Sequence, residues 1–252
     1  MTNKVALVTG ASSGIGKATA EVFADYKFDV IICGRRQDRL EELADELQTK
    51  VNVYTLTFDV SNQQEVNKAI GSLPKSWQNI DILVNNAGNA HGLAPIQDGD
   101  VSDWDAMIDI NIKGLLYVTK AIIPQMVNRK TGHVVHVGSL AGKEAYPNGN
   151  VYCASKHAVD AINKGMRMDL HKHGIRVSAI NPGLVETEFS KVRFKGDDEK
   201  AKKTYQGYQP LTATDIAETI LFMVTRPAHV NIADLLILPT AQASATIVNK
   251  KN

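Results

Sequence analysis

With 252 residues, 44% of them hydrophobic, the chain fits one large α/β domain with a well-filled core. A formal net charge of +1 argues against nucleic-acid or anionic-membrane partners, and no apolar run reaches the roughly 18 residues of a membrane span. Two cysteines, Cys33 and Cys153, are too few for a disulfide framework and lack metal-ligand spacing, so a reducing, cytoplasmic setting without a bound metal is expected.

Met1-Thr2-Asn3-Lys4 runs directly into an apolar stretch at 5–8, too short for a signal peptide and read as a first strand. Further apolar runs lie at 30–33, 51–58, 82–84, 133–137, 177–180 and 235–238. Helix-like stretches separate them at 16–26, 38–47, 63–73, 104–127, 151–171 and 214–224. Continuous apolar strands alternating with helices predict a single-domain, Rossmann-type doubly wound parallel sheet, about seven strands with helices on both faces. Thr212, Thr214 and Asp215 offer N-caps before the last helix. No Pro- or Ser-rich linker, repeat or low-complexity tract divides residues 1–252. The stretch 186–209 stands apart, because Lys191, Arg193, Lys195, Lys200, Lys202 and Lys203 crowd it without apolar periodicity. It reads either as a solvated surface segment or, from its position after Pro182-Gly183, as a substrate lid.

Directly after the first strand comes Thr9-Gly10-Ala11-Ser12-Ser13-Gly14-Ile15-Gly16, leading into a helix. Gly10 permits a tight strand exit, and Gly14 and Gly16 permit close approach of a ligand to backbone at the helix N-terminus, where exposed N–H groups suit a pyrophosphate. The second strand ends in Gly34-Arg35-Arg36, with no carboxylate at its tip for a ribose 2′-hydroxyl. Guanidinium groups there suit a 2′-phosphate, with Ser13 in reach, so NADP is expected rather than NAD; the alternative is that both arginines open a solvated helix. At the third strand end, Asp59 can accept from an adenine amine while Val60 flanks the ring, or Asp59 can simply form a turn with Ser61.

Tyr152 and Lys156 are four apart on a predicted helix and share a face. A free phenol has a pKa of about 10, and a neighbouring fixed cation moves it towards the working range of an acid–base catalyst. Ser139 can complete a polar pair with Tyr152 at a substrate oxygen, the arrangement that carbonyl reduction beside a nicotinamide requires. Asn111 lies inside an apolar helical run, where a middling helix former points to a kink or a water site. Cys153, His91, His136, His157, Trp77 and Trp104 read as packing or structural residues.

Together these residues resemble the short-chain dehydrogenase/reductase family over essentially the whole chain. The glycine motif matches residues 9–16, an Asn-Asn-Ala-Gly motif matches 85–88, and a catalytic tetrad matches Asn111, Ser139, Tyr152 and Lys156. The resemblance implies that Tyr152 exchanges the proton at the substrate oxygen and that Lys156 lowers its pKa and holds the nicotinamide ribose. It implies further that Ser139 binds the substrate oxygen and that Asn111 holds a water. Asn86, Ala87 and Gly88 would line the cofactor cleft, with Val185 and Thr187, after Pro182-Gly183, fixing the carboxamide and phosphates. The family's tetramers form through the helices that here span 104–127 and 151–171, so a homotetramer is implied, with a dimer as the alternative.

Stretches 34–40, 192–198 and 227–232 look like those of bacterial and yeast NADP-dependent 3-hydroxy acid dehydrogenases, and the Val-Asp-Gly-Gly ending of acyl-carrier-protein reductases is missing. Serine, allo-threonine or 3-hydroxypropionate is then the implied type of small-molecule substrate. A substrate carboxylate would want a cation, for which Arg193 or a nearby lysine is the candidate. The competing expectations are a general carbonyl or 3-ketoacyl reductase and a non-catalytic NADP-binding regulator.

Overall fold

In the computed structural model, which describes residues 3–251, the apolar runs line up as seven parallel strands. They are β1 (Val5–Thr9), β2 (Asp29–Gly34), β3 (Val53–Thr57), β4 (Ile82–Asn85), β5 (Gly132–Val137), β6 (Ile175–Pro182) and β7 (Asp234–Ile237). Their order is β3-β2-β1-β4-β5-β6-β7. Every residue of β1 is buried, and the middle of β2 likewise, because both sheet faces are covered. The strand order reverses between β1 and β4, which opens a crevice at their C-terminal ends.

Helices α1 (Gly14–Asp25), α2 (Gln37–Gln48) and α9 (Ala213–Val224) cover one face, burying Phe23, Leu40, Leu43, Ile216 and Ile220 against β1 and β2. On the other face, α3 (Gln63–Gly71), α5 (Leu115–Arg129) and α6 (Asn150–Leu170) bury Val66, Val118, Ile122 and Leu170 against β1, β4 and β5. Helix α9 begins with a reciprocal cap: Thr212 Oγ1 accepts from Asp215 N at 3.2 Å, and Asp215 Oδ2 accepts from Thr212 N at 2.7 Å.

Two elements differ from the sequence expectation. The helix expected over 104–127 is α4 (Val101–Ile108), a π-helical turn (Asp109–Gly114) and α5 in succession. The charged stretch 186–209 contains two short helices, α7 (Phe189–Arg193) and α8 (Asp198–Thr204), seated through Ser190 and Ala201. Among the described residues, no helix is long and apolar enough to cross a membrane, and no cluster of His, Cys, Asp and Glu could hold a metal.

Candidate active site

The exits of β1 and β4 are stitched together by Thr9. Its Oγ1 donates to Val84 O at 3.3 Å and accepts from Asn86 N and Ala87 N, each at 3.0 Å. Asn86 Nδ2 returns a bond to Thr9 O at 2.8 Å. Gly10 and Gly14 have φ of +67° and +53°, where other residues are strained, and a Cβ at Gly16 would collide with Gly10 O. Backbone thus crowds closely around the α1 N-terminus. One cavity of about 570 Å³ runs from this loop to Tyr152. Ser12, Ser13, Ile15, Val60, Gly88, Pro182, Gly183, Val185 and Thr187 are among the residues that line it.

The two arginines after β2 part company. Arg36, at the N-cap of α2, turns inward: its Nε and Nη2 donate to Ser12 Oγ at 3.1 and 3.0 Å, and Nη2 donates to Ser13 Oγ at 2.6 Å. Its Nη1 donates to Glu188 Oε2 at 3.0 Å, and Arg39 donates to the same carboxylate. Arg35 also lines the cavity but is more open to solvent, with its side chain 66% exposed and Nη1 3.5 Å from Asp59 Oδ2. Asp59 Oδ1 accepts from Ser61 N at 2.9 Å and Ser61 Oγ at 2.7 Å, so the turn reading of Asp59 holds while the residue still faces the cavity. A guanidinium aimed at two hydroxyls beside an N–H-rich helix start fits a 2′-phosphorylated dinucleotide.

Ser139 lies just past β5 and accepts from Ala141 N at 3.1 Å, which starts a 3₁₀ turn; it lines the same cavity as Tyr152. Tyr152 is buried on α6 against Phe189, with ring centroids 5.7 Å apart. Lys156 Nζ is 6.0 Å from the Tyr152 ring centroid and donates to Val137 O at 3.0 Å. Burial pushes the Tyr152 phenol above its ordinary value, and burial pulls Lys156 down to about 8. The lowering of Tyr152 expected from Lys156 is therefore outweighed in the protein alone. The Ser139 hydroxyl and the Arg193 guanidinium, 5.5 Å from the Tyr152 ring, act against the rise.

Asn111 sits in the π-helical turn, fully buried. Its Oδ1 accepts from Asn89 N at 2.8 Å, and its Nδ2 donates to Asn89 O at 2.8 Å and to Ser155 Oγ at 3.0 Å. It clamps the loop after β4 onto α6, one residue from Lys156.

At the far end, Arg193 on α7 lies over two tyrosine rings, its guanidinium carbon 5.5 Å from the centroids of both Tyr146 and Tyr152. Its Nη2 donates to Tyr146 Oη at 2.9 Å, while Nε is buried without a partner. Nearby lysines are committed to carboxylates: Lys191 to Asp198, Lys195 to Asp100 and Asp103, Lys200 to Asp197. Among the described residues Arg193 has no acidic partner, and it faces the cavity.

Residues 4–198 match the family model described as short chain dehydrogenase. The chain belongs to this family. It is 48% identical over 242 residues to the NADP-dependent 3-hydroxy acid dehydrogenase YdfG of Escherichia coli (strain K12), covering 96% of this chain and 97% of that protein. It is 44% identical over 240 residues to sulfoacetaldehyde reductase 2 of Chromohalobacter salexigens, covering 95% of each. Among solved structures, the closed form of serine dehydrogenase complexed with NADP+ superposes with a TM-score of 0.92 at 48% identity, covering 96% of this chain and 98% of that one.

Within this short chain dehydrogenase, the predicted residues from Gly10 to Arg193 gather around one cavity, except that Asn111 lies behind it and Gly16 packs against Gly10 O and Asn86 instead of lining it. Sequence reading missed Thr9, Glu188 and Tyr146. Thr9 had a signal, standing first in the glycine motif; Tyr146 and Glu188 had none, since their partners are remote in sequence. His91 bonds Asn89 and His157 bonds Cys153 O, both local structural roles.

Proposed function

We propose that the protein is an NADP-dependent oxidoreductase that interconverts a short 3-hydroxy acid and its 3-oxo acid or semialdehyde. Bound NADP supplies or accepts the hydride. During oxidation Tyr152 Oη takes the proton of the substrate hydroxyl, and during reduction it returns one to the carbonyl oxygen. Ser139 Oγ hydrogen-bonds that same oxygen and holds it at Tyr152. Lys156, kept in place by Val137 O, binds the ribose and adds positive potential behind the phenol. Asn111 holds the Asn89 backbone and Ser155 in register and so keeps the Lys156 pocket shaped. Ser12, Ser13 and Arg36 take the 2′-phosphate, Asp59 and Val60 flank the adenine, and Val185 and Thr187 flank the nicotinamide end. Residues 186–209 form the lid that excludes water from the reaction.

The observation that carries the substrate class is Arg193. A half-buried guanidinium that faces the cavity over two tyrosine rings, without an acidic partner among the described residues, is costly unless an anion arrives. A substrate carboxylate satisfies it. Both named relatives support this by their substrates' chemistry: a 3-hydroxy acid carries its carboxylate one methylene from the carbon bearing the hydroxyl, and sulfoacetaldehyde carries a sulfonate one methylene from its carbonyl. A general carbonyl reductase has no use for such a cation. Exposed Ile108 and Leu116 at α4 and α5, and Met168 on α6, favour a homotetramer through these helices, and two unpaired buried cysteines suit a reducing cytoplasm.

Steady-state rates with NADP and NAD against 3-hydroxypropionate, serine and an uncharged alcohol test the reading. The hydroxy acids with NADP should give the highest kcat/KM. In Arg193→Ala the KM for 3-hydroxypropionate should rise about tenfold or more while the uncharged alcohol is unaffected. Equal effects on acid and alcohol would remove the carboxylate assignment.

A further inference from the structure

Tyr146 is six residues before Tyr152, outside the helix that carries the Tyr-Lys pair, and no motif singles it out. Its Oη nevertheless holds a cation that faces the cavity: it accepts from Arg193 Nη2 at 2.9 Å. The bond ties the cation of α7 to the loop that leads into the helix carrying the phenol. The rings reinforce it: the guanidinium lies 5.5 Å from both ring centroids, within cation–π range. The backbone adds a third tether, since Arg193 O accepts from Gly92 N at 3.0 Å.

We propose that Tyr146 is a positioning residue that fixes the Arg193 guanidinium at a set distance from Tyr152 and so measures the separation between a substrate's anion and its reacting hydroxyl. The inference rests on the carboxylate reading of Arg193. With one Nη2 hydrogen committed to Tyr146, the Nη1 hydrogens, which have no partner among the described residues and are not enclosed, are the donors open to a substrate oxygen. Burial keeps the Tyr146 phenol neutral, so its oxygen can accept from Arg193 without neutralising the charge that the substrate needs. A carboxylate partner in its place would cancel the guanidinium's charge. A phenol orients the cation and leaves it cationic. An unanchored arginine has a flexible stem and would accept anions at several distances from Tyr152. An anchored one selects a single spacing, which for the proposed 3-hydroxy acid substrate is one methylene between the acid group and the carbon bearing the hydroxyl.

The test is Tyr146→Phe, which keeps the ring stack and deletes only the anchoring oxygen. KM for 3-hydroxypropionate should rise by about tenfold with kcat little changed, in line with the loss of one charge-assisted hydrogen bond. Discrimination against 4-hydroxybutyrate, whose anion lies one methylene farther, should narrow by a similar factor, while the uncharged alcohol and NADPH binding stay as in the wild type. Unchanged acid discrimination, equal losses on acid and alcohol, or loss of NADPH binding would each overturn the proposal. Arg193→Ala separates the two levels. If that variant loses acid selectivity and Tyr146→Phe keeps it, only the positioning role fails; if Arg193→Ala is not acid-selective, the carboxylate reading fails first.

Discussion

Tyr152 and Lys156 illustrate what local spacing conveys and what burial alters. Their separation of four places them on one helix, yet Lys156 spends its hydrogen bond on Val137 O, and burial shifts both groups towards their neutral forms. The folded pKa of Lys156, about 8, lies below its ordinary 10.5, so the unfolded chain binds the proton more tightly and stability rises with pH across that window. Below the window the buried charge costs up to about 3 kcal/mol. Lys156→Met should accordingly raise Tm at neutral pH, by an amount that shrinks as pH approaches the ordinary lysine value; thermal melts over pH check this, and a pH-independent difference would contradict it. The pair after β2 carries a second expectation. Arg36→Ala should weaken NADPH binding by roughly tenfold to a hundredfold and leave NADH binding nearly unchanged, as the loss of charge-assisted bonds to one phosphate implies. Arg35→Ala, at an exposed side chain, should do much less. Fluorescence titration with both cofactors reads the difference, and equal losses for NADPH and NADH would remove Arg36 from the phosphate site. The sequence showed two arginines at a strand tip; which one turns inward depends on Ser12, Ser13 and Glu188, and the last lies 152 residues away.

Among the elements, the strands were legible because a sheet covered on both faces demands uninterrupted apolar runs, and each run became a strand with ends shifted by a few residues. The long helix before β5 was legible only in outline. Apolar periodicity cannot register the extra residue of a π-helical turn, and the sole signal was Asn111 in an apolar run. The turn swings the Asn111 amide onto the loop after β4, where it satisfies both polar groups of the Asn89 backbone. Asn111→Leu should therefore lower the stability measured by urea unfolding by about 2 kcal/mol or more, since a buried N–H and C=O lose their partners. A loss no larger than that of a surface substitution would show that the clamp is dispensable. The lid helices α7 and α8 stayed hidden for another reason. Each is under two turns long and is held by tertiary contacts, such as Tyr205 Oη to Ser190 Oγ at 2.6 Å, instead of by a periodic apolar face.

For the molecule as a whole, the strand order decides where chemistry can occur. Reversal between β1 and β4 opens one crevice. The glycine loop after β1, the Asn-Asn-Ala-Gly turn after β4, Ser139 after β5 and Pro182-Gly183 at the end of β6 all empty into it. That convergence explains why motifs scattered over the chain could be read together as one site. The substrate end was less legible, because it is assembled from α7, the loop carrying Tyr146 and the segment near Gly92, which meet only in the folded chain. In the proposed reaction a hydride carrier bound in this crevice works with Tyr152 on a short 3-hydroxy acid. The most direct test is Tyr152→Phe, followed by NADPH formation from 3-hydroxypropionate and by NADPH binding in the same preparation. Turnover should fall by about a thousandfold while binding is retained, as expected on removing a general acid–base group. Turnover close to that of the wild type would contradict the assignment.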